Sequence, residues 1–344
     1  MPDLGILNPL FKDDSITEVM INDTRNVFIE KAGKLVASGL KVPTHEDLLK
    51  IVKNITESGG RQLTNERPYA DLTLPDGSRV NIIVPPLTVG GAAVTIRRFP
   101  KRRPSADDLM ANHTFDQRLG YFLNVCVVGR RNILVSGGTG SGKTTLLNLF
   151  CQFVPRSERL VTIEDTPEIF IQHENSVRMV SRPRDGSATP IDARELVANA
   201  LRMRPDRIIL GECRRGEAFD MLQAMNTGHD GSMTTLHANS PREALYRLET
   251  LVSMAGVDLP LSAMRKYIAS SIDMIVQIRR FRSGARKITH VTEVTGMEGE
   301  TILLQDIFEL KSEEDGVAKA LGFVPTFLKD LQEMGVQIGN DYFG

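Results

Sequence analysis

The sequence predicts an α/β protein with two domains, a smaller α+β domain followed by a larger domain built on a mostly parallel sheet. Its 344 residues exceed the rule of thumb of about 150 residues per domain. A segment that reads Phe-Pro-Lys-Arg-Arg-Pro, residues 99–104, has almost nothing to bury and interrupts the pattern of strands and helices. We therefore expect four regions: an N-terminal domain over 1–99, a hinge over 100–115, the larger domain over 116–311 and a C-terminal tail over 312–344 with one short helix, Phe327 to Met334.

The first region predicts short strands around one helix. Apolar residues alternate on both sides of a turn at residues 75–78, which indicates a hairpin, and again near Val94 and Ile96. Two further short strands flank Gly33. Thr44 is placed to cap a helix whose apolar residues recur at helical spacing until Gly59 and Gly60 end it.

The larger region predicts buried strands separated by helices or glycine-rich loops. The apolar runs that we assign to strands are Ile133 to Ser136, Leu160 to Ile163, Ile208 to Leu210, Met233 to Leu236 and Ile272 to Ile278. Such alternation is typical of a mostly parallel sheet with helices on its faces. After it, Ser240 and Glu243 have the spacing of a capping box at the start of a helix.

Composition excludes several classes of protein. The chain has 42 Lys and Arg against 43 Asp and Glu, 6% aromatic residues and no Trp. That balance argues against a strongly basic nucleic-acid coat, and we expect no direct nucleic-acid partner. Three cysteines without a CxxC pair fit a reducing compartment. No apolar stretch reaches the roughly 20 residues of a transmembrane helix, so we expect a cytoplasmic protein that reaches membranes only through partners.

The strongest local signal is a glycine-rich loop between a strand and a helix. Residues 137–144 read Gly-Gly-Thr-Gly-Ser-Gly-Lys-Thr and match the P-loop pattern GxxxxGK[ST]. Backbone N–H groups of such a loop surround a phosphate, the lysine reaches the β- and γ-phosphates, and the following hydroxyl ligates Mg²⁺. A chance glycine-rich turn is the alternative. We predict an ATP site formed by Gly138, Thr139, Gly140, Ser141, Gly142, Lys143, Thr144 and Thr145, with Thr144 on Mg²⁺.

Acidic residues follow two of the predicted strands. Glu212 ends an apolar run and is our predicted catalytic base, the alternative being a cap of the next helix. Glu164 and Glu168 follow another run; Glu164 is a further predicted catalytic residue, and Glu168 is expected to contact Mg²⁺ partly through water. Glu164 or Glu168 could instead be a solvent-exposed residue that only caps a helix.

Two histidines and two arginines are weaker candidates for contacts to the nucleotide. We predict that both histidines contact the nucleotide: His237 follows a predicted strand and could sense the γ-phosphate, and His229 precedes the same strand and could serve the loop instead. Arg97 and Arg98 end the last strand of the first domain. They are either solvated linker cations, as Lys101, Arg102 and Arg103 are expected to be, or contacts to a transferring phosphoryl group.

These motifs together resemble the secretion-ATPase superfamily of type II and type IV secretion and type IV pili. The segments that carry the resemblance are GGTGSGKTTLLN, TIEDTPE, LRMRPDRIILGE, EAFDMLQAMNTGHDGSMTTLHANSPREAL and VTEVTGMEGE. The order of a P-loop, an acidic box at 163–168, a Walker B ending in Gly211-Glu212 and a histidine box at 228–237 is similar to that family, most of all to its tight-adherence (Tad or Flp) pilus branch. One departure is Arg214-Arg215-Gly216-Glu217, where relatives commonly have Arg-Gly-Gly-Glu.

The resemblance implies a RecA-like P-loop ATPase domain, a ring-forming homohexamer, and N-domain arginines, here Arg97 and Arg98, that close on the γ-phosphate. It also implies an inner-membrane platform protein as partner and assembly, or retraction, of a pilus driven by ATP and Mg²⁺. Export through a type II or type IV secretion channel is the alternative. A nucleic-acid translocase and a non-hydrolysing scaffold are further alternatives.

Overall fold

The computed structural model describes residues 2–31, 33–99, 104–182 and 189–344. The chain forms two compact units, residues 1–103 and 104–344. The division falls inside the segment that we predict as a hinge. Lys101, Arg102 and Arg103 lie outside the described residues. Residues 104–115 contain a short helix, residues 106–111, and buried Phe115, and they belong to the second unit.

Where the structure describes it, the first unit is an antiparallel sheet with one α-helix. In the described residues its strands are β1 (Ile16–Ile21), β2 (Val27–Lys31), β3 (Lys34–Ala37), β4 (Tyr69–Thr73), β5 (Arg79–Ile83) and β6 (Ala93–Arg97). The spatial order is β3-β2-β1-β6-β5-β4, and every neighbouring pair is antiparallel. Helix α1 (His45–Ser58) begins where the Thr44 hydroxyl accepts the N–H of Asp47, which confirms the predicted cap.

One apolar cluster holds this unit together. Helix α1 contributes Leu48, Ile51, Val52 and Ile55, the four residues of the predicted helical spacing, and all are buried. The strands contribute alternate residues, among them Val80 and Ile82 of β5. The helix and the inward face of the sheet therefore bury each other, as the two periodicities predict.

The second unit is built on a larger, mixed sheet. Its described strands are β7 (Ile133–Gly137), β8 (Leu160–Glu164), β9 (Ser176–Val180), β10 (Arg207–Leu210), β11 (Met233–Leu236), β12 (Met274–Arg280), β13 (Arg286–Glu298), β14 (Thr301–Glu309) and β15 (Lys319–Ala320). Their order is β15-β14-β13-β12-β7-β11-β10-β8-β9. From β12 through β9 every pair is parallel, which confirms the predicted parallel sheet.

Helices cover both faces of this sheet. They are α2 (Ala106–Ala111), α3 (Gln117–Val128), α4 (Lys143–Phe153), α5 (Ala193–Ala200), α6 (Glu217–Asn226), α7 (Pro241–Ser253), α8 (Leu261–Ser271) and α9 (Leu328–Glu333). Residues of α3 and α4 share one buried cluster with Ile133 and Val135, and residues of α5 to α8 share another with Leu134. Successive residues of β7 thus face opposite helical layers, and the sheet is buried on both sides.

One expectation for this unit is wrong, and three of its strands were not expected. Ser240 caps α7 by accepting the N–H of Glu243, but Glu243 accepts the N–H of Asn239 rather than that of Ser240, so the predicted capping box is incomplete. The sequence pattern predicts β12 but not the antiparallel strands β13 to β15 that extend the sheet beyond it. Its strands carry many charged residues, which conceals the apolar alternation that identifies a strand.

The C-terminal residues are part of the core. Phe327, Leu328, Leu331 and Phe343 are buried in the cluster that includes α3. The ring of Phe343 meets that of Phe122 edge-on, with centroids 5.5 Å apart. The region 312–344, which we predict as a tail, therefore contributes apolar packing to the second unit.

Candidate functional site

The site lies at the carboxyl edge of four parallel strands. In the order of the sheet, β7 leads into the glycine-rich loop, β11 into His237, β10 into Gly211 and Glu212, and β8 ends at Glu164. Because parallel strands end at the same edge, four segments distant in sequence become neighbours there. The contacts across this edge follow the order of the strands.

The glycine-rich loop owes its shape to positions where a side chain does not fit. Gly142, which precedes α4, has φ +105°, a conformation that residues with a Cβ rarely adopt. At Gly137 a Cβ atom would lie 2.3 Å from the carbonyl oxygen of Ile278. The loop therefore packs closely against β12 and turns sharply into the N-terminus of α4, where a helix favours a bound anion.

Lys143 is held inside this loop. The residue is 7% exposed, and its Nζ donates to the carbonyl oxygens of Gly137 and Gly138 at 2.9 and 3.0 Å. The same Nζ lies 3.3 Å from Nε2 and 3.5 Å from Nδ1 of His237. The ammonium group thus stands between the loop and the next strand of the sheet.

His237 links Lys143 to Glu212. Its Nε2 lies 2.8 Å from Oε1 of Glu212, the predicted base on the neighbouring strand. Partial burial, and then the charge of Lys143, lower the pKa of His237, so that the imidazole is neutral at pH 7. The other carboxylate oxygen of Glu212 accepts from Nε of Arg214 at 2.5 Å. The predicted base therefore contacts a neutral ring on one side and a cation on the other.

Glu164 is the most buried acid of this edge, with 5% of its surface exposed. Its Oε1 accepts the N–H groups of Glu168 and Ile169, both at 2.8 Å. Burial raises the pKa of Glu164 to about 7, and these two bonds only partly oppose that effect. The carboxyl group therefore shapes the loop after β8 and changes its protonation near neutral pH.

The two predicted Mg²⁺ ligands lie on either side of a buried amide. Thr144 begins the first turn of α4 and Glu168 lies on the loop after β8; both are half-buried. Nδ2 of Asn148 donates to the carbonyl oxygens of Thr144 and Glu168 at 2.9 and 3.2 Å. Among the described residues no group of three or more His, Cys, Asp or Glu forms a metal cluster. Mg²⁺ binds proteins through one or two side chains plus phosphate and water, which a hydroxyl and one acid can supply.

The remaining predicted residues lie elsewhere. His229 precedes β11, at the strand end opposite His237, and its Nδ1 lies 3.3 Å from the carbonyl oxygen of Ala224. The structure does not bring this ring to the glycine-rich loop. Arg97 and Arg98 belong to the first unit. The side chain of Arg97 is 52% exposed, with its Nε 3.7 Å from Glu18.

Arg98 has a different environment from its neighbour. Its guanidinium donates to the backbone carbonyl oxygens of Asp13, Ile16 and Phe11, and the side chain is only 9% exposed. These bonds favour a structural role for Arg98 within the first unit. Of the two predicted arginines, Arg97 has the accessible side chain.

Sequence reasoning missed several residues that support the site. Asn148 and Arg214 are described above, and Nε of Arg286 donates to the carbonyl oxygen of Gly140 in the loop at 2.9 Å. Oε1 of Glu217 accepts the N–H groups of Arg214 and Arg215, which fixes the turn after Glu212. The polar Asn148 inside the apolar helix α4 was a visible signal, whereas the contact of Arg286 joins residues 146 positions apart.

The doubly covered parallel sheet, with its loop and acids at one edge, defines a RecA-like α/β protein of two domains. The model of the family described as type II/IV secretion system protein matches residues 2–307. The chain therefore belongs to the type II/IV secretion system protein family. Among the described residues no helix has both the length and the apolar composition that crossing a membrane requires.

Individual relatives agree with this assignment. The chain is 36% identical over 311 residues to the type IV secretion system protein PtlH of Bordetella pertussis, covering 83% of this chain and 91% of that one. It is 36% identical over 292 residues to the conjugal transfer protein TrbB of Rhizobium radiobacter, covering 83% and 85%. A crystal structure of the pilus retraction motor PilT with bound ADP shares the fold, with a TM-score of 0.58, 18% identity and coverage of 89% of this chain and 82% of that one.

Glu164→Gln tests the buried carboxyl group. Since burial raises its pKa from 4.5 to about 7, folding favours the protonated form, and the free energy of unfolding falls as pH rises between these values. The side-chain amide of glutamine does not titrate, so the variant does not lose stability in this way as pH rises. We expect the variant to gain up to about 3 kcal/mol relative to wild type between pH 5 and pH 8. Urea denaturation of both proteins at several pH values measures this difference in the free energy of unfolding.

The exposed Glu174, replaced by Gln, is the matched control and should follow the wild-type profile. A stability difference between Glu164→Gln and wild type that stays constant across this pH range would show that Glu164 is ionised throughout.

Proposed function

We propose that this chain is an ATP-hydrolysing motor of a type II or type IV secretion apparatus. The observation that carries the proposal is the contact of Lys143, His237 and Glu212 across one sheet edge. Phosphoanhydride hydrolysis needs a cation on the phosphates and a group that orients the attacking water. Family membership supports the same conclusion.

The residues divide this work according to their chemistry. The loop from Gly138 to Thr145 binds the phosphates through N–H groups, and Lys143 neutralises their charge. Glu212 orients and deprotonates water as general base, and neutral His237 responds to the γ-phosphate from its place beside Lys143. Mg²⁺, held by the Thr144 hydroxyl and through water by Glu168, would neutralise charge on the phosphate oxygens. Glu164 keeps the loop that carries Glu168 in position.

The proposed assembly is a homohexameric ring in the cytoplasm, attached to the inner membrane through platform proteins. ATP-driven closure of two domains would move such a partner as a rigid body. In this proposal Arg97 contacts the γ-phosphate. Its exposed guanidinium, in contrast to the internally bonded Arg98, supports the choice.

Between the two processes that the family serves, we propose pilus assembly, because the sequence motifs, including Thr-Ile-Arg-Arg-Phe at 95–99, predict membership of the Tad branch. The names of PtlH and TrbB favour export or conjugal transfer as the alternative. Both functions use the same hydrolysis site.

Substitutions at the edge test the division of roles. Lys143→Ala should weaken ATP binding strongly, because it removes the cation in the loop. Glu212→Gln should bind ATP normally and lower kcat by about 10² or more, since the amide cannot accept a proton. Calorimetric titration with MgATP and phosphate release under steady state measure the two effects. Weak binding by Glu212→Gln together with normal binding by Lys143→Ala would reverse the assignment.

Arg97→Ala should retain ATP affinity and lose hydrolysis by about 10³, the usual effect of removing a cation from the transition state. Arg98→Ala is the comparison. Since Arg98 binds backbone carbonyls, its loss should lower the thermal midpoint of the first unit. Near-normal turnover by Arg97→Ala would remove it from the site.

A strain that lacks the gene for this chain, complemented with wild type or Glu212→Gln, distinguishes pilus assembly from secretion. We expect surface pili, counted by electron microscopy, to return only with wild type. Normal piliation of the deletion strain, together with a loss of protein export or DNA transfer, would favour the secretion alternative.

A further inference from the structure

Two arginines from the antiparallel extension lie beside the phosphate-binding loop. Strands β12 and β7 pair so that Ile278 lies opposite Gly137, where the loop begins. In the adjacent pair, Arg280 at the end of β12 lies opposite Arg286 at the start of β13. The end of this hairpin therefore brings two guanidinium groups to the loop from outside the P-loop motif.

Both side chains make close approaches to the loop glycines. Nε of Arg286 donates to the carbonyl oxygen of Gly140 at 2.9 Å. A Cβ atom built on Gly142 would lie 3.4 Å from Cδ of Arg286, and one built on Gly140 would lie 3.2 Å from Nη1 of Arg280. Both arginines are half-buried. Their positive charge is therefore only partly screened by solvent.

The bond from Arg286 determines which way one peptide group points. In a trans peptide the C=O of one residue and the N–H of the next point in opposite directions. With the oxygen of Gly140 bound by Arg286, the N–H of Ser141 is directed away from that guanidinium. This N–H makes only a long contact, 3.4 Å, with the carbonyl oxygen of Gly138. It remains a donor that an anion in the loop can engage.

Glycine makes this constraint necessary. Gly140 has φ +66°, and without a Cβ its peptide rotates more freely than that of other residues. A loop of several glycines loses conformational entropy when its N–H groups converge on a phosphate. A charged hydrogen bond that holds the peptide beforehand reduces that loss.

We infer that Arg286 is a positioning residue that orients the Gly140–Ser141 peptide for binding the polyphosphate of a nucleotide, and that Arg280 adds positive charge beside it. The inference rests on the proposed function only in taking a nucleoside di- or triphosphate as ligand. The inference concerns the affinity for this nucleotide. It does not depend on ATP hydrolysis or on whether the chain serves pilus assembly or secretion.

Arg286→Ala and Arg286→Lys separate charge from position. Alanine removes both, while lysine keeps a charge but lacks the Nε donor and planar fork of arginine. We expect Arg286→Ala to raise the Kd for MgADP and the KM for MgATP about tenfold, because the unrestrained peptide must then be ordered on binding, with kcat within about threefold of wild type. Arg286→Lys should recover less than half of the lost affinity on a logarithmic scale.

The matched control is Arg282→Ala, on the same hairpin with an exposed side chain, which should bind as wild type does. Titration calorimetry with MgADP gives Kd, steady-state phosphate release gives KM and kcat, and the thermal midpoint without nucleotide reports on folding. Full recovery of affinity by lysine would mean that charge alone matters and would overturn the positioning role. Affinity within twofold of wild type in Arg286→Ala would do the same.

The outcomes also separate this inference from the proposed function. A wild type that binds MgADP but hydrolyses no ATP would reject the motor and leave the Kd comparison valid. A wild type that hydrolyses ATP, with Arg286→Ala binding normally, would reject only the positioning role. If both Arg286 variants fail to fold, the residue serves the hairpin's stability, and the inference is wrong.

Discussion

The site depends on the parallel arrangement of β7, β11, β10 and β8. Parallel strands end at one edge, so the residues that follow them meet there without any local motif connecting them. The strand order then decides which groups touch. Lys143 reaches His237, and His237 reaches Glu212, because their strands are successive neighbours in the sheet. Burial of the sheet on both faces keeps these ends in register.

Support for this edge also comes from parts of the chain outside the P-loop, the acidic box, the Walker B segment and the histidine box. The antiparallel strands β13 and β14 extend the sheet beyond β12, and Nζ of Lys287 in β13 donates to the carbonyl oxygens of Glu313 and Gly316. Phe343 and Phe327 pack beside α3 in the core that α4 shares. The C-terminal residues thus stabilise the β12–β13 hairpin and helix α4, and the glycine-rich loop lies between these two elements.

Local signals were sufficient to predict much of the fold and part of the site. The apolar runs of β7, β8, β10 and β11 and the cap at Thr44 follow from periodicity and side-chain chemistry over a few residues. The placement of Lys143 and Glu212 near one another followed from the rule on parallel strand ends. These predictions required no knowledge of distant contacts.

What the sequence could not reveal depends on pairing over long separations. Whether Arg98 faces solvent or three carbonyl oxygens is decided by residues more than 80 positions earlier. The contact of Arg286 with Gly140 likewise requires the register of three strands. The charged strands β13 and β14 were hidden because their partners, rather than their own alternation, determine their burial.

The series of contacts from Lys143 through His237 and Glu212 to Arg214 has a consequence for which ligands the site favours. Lysine already holds two carbonyl oxygens, and Glu212 already holds a guanidinium. An incoming ligand must exchange these internal bonds for its own, so only the difference in free energy appears as affinity. A polyanion gains more from Lys143 in this exchange than an uncharged molecule does, because its bonds to the ammonium group join opposite charges. In the proposed function, this difference would favour a polyphosphate over neutral metabolites at the edge of the sheet.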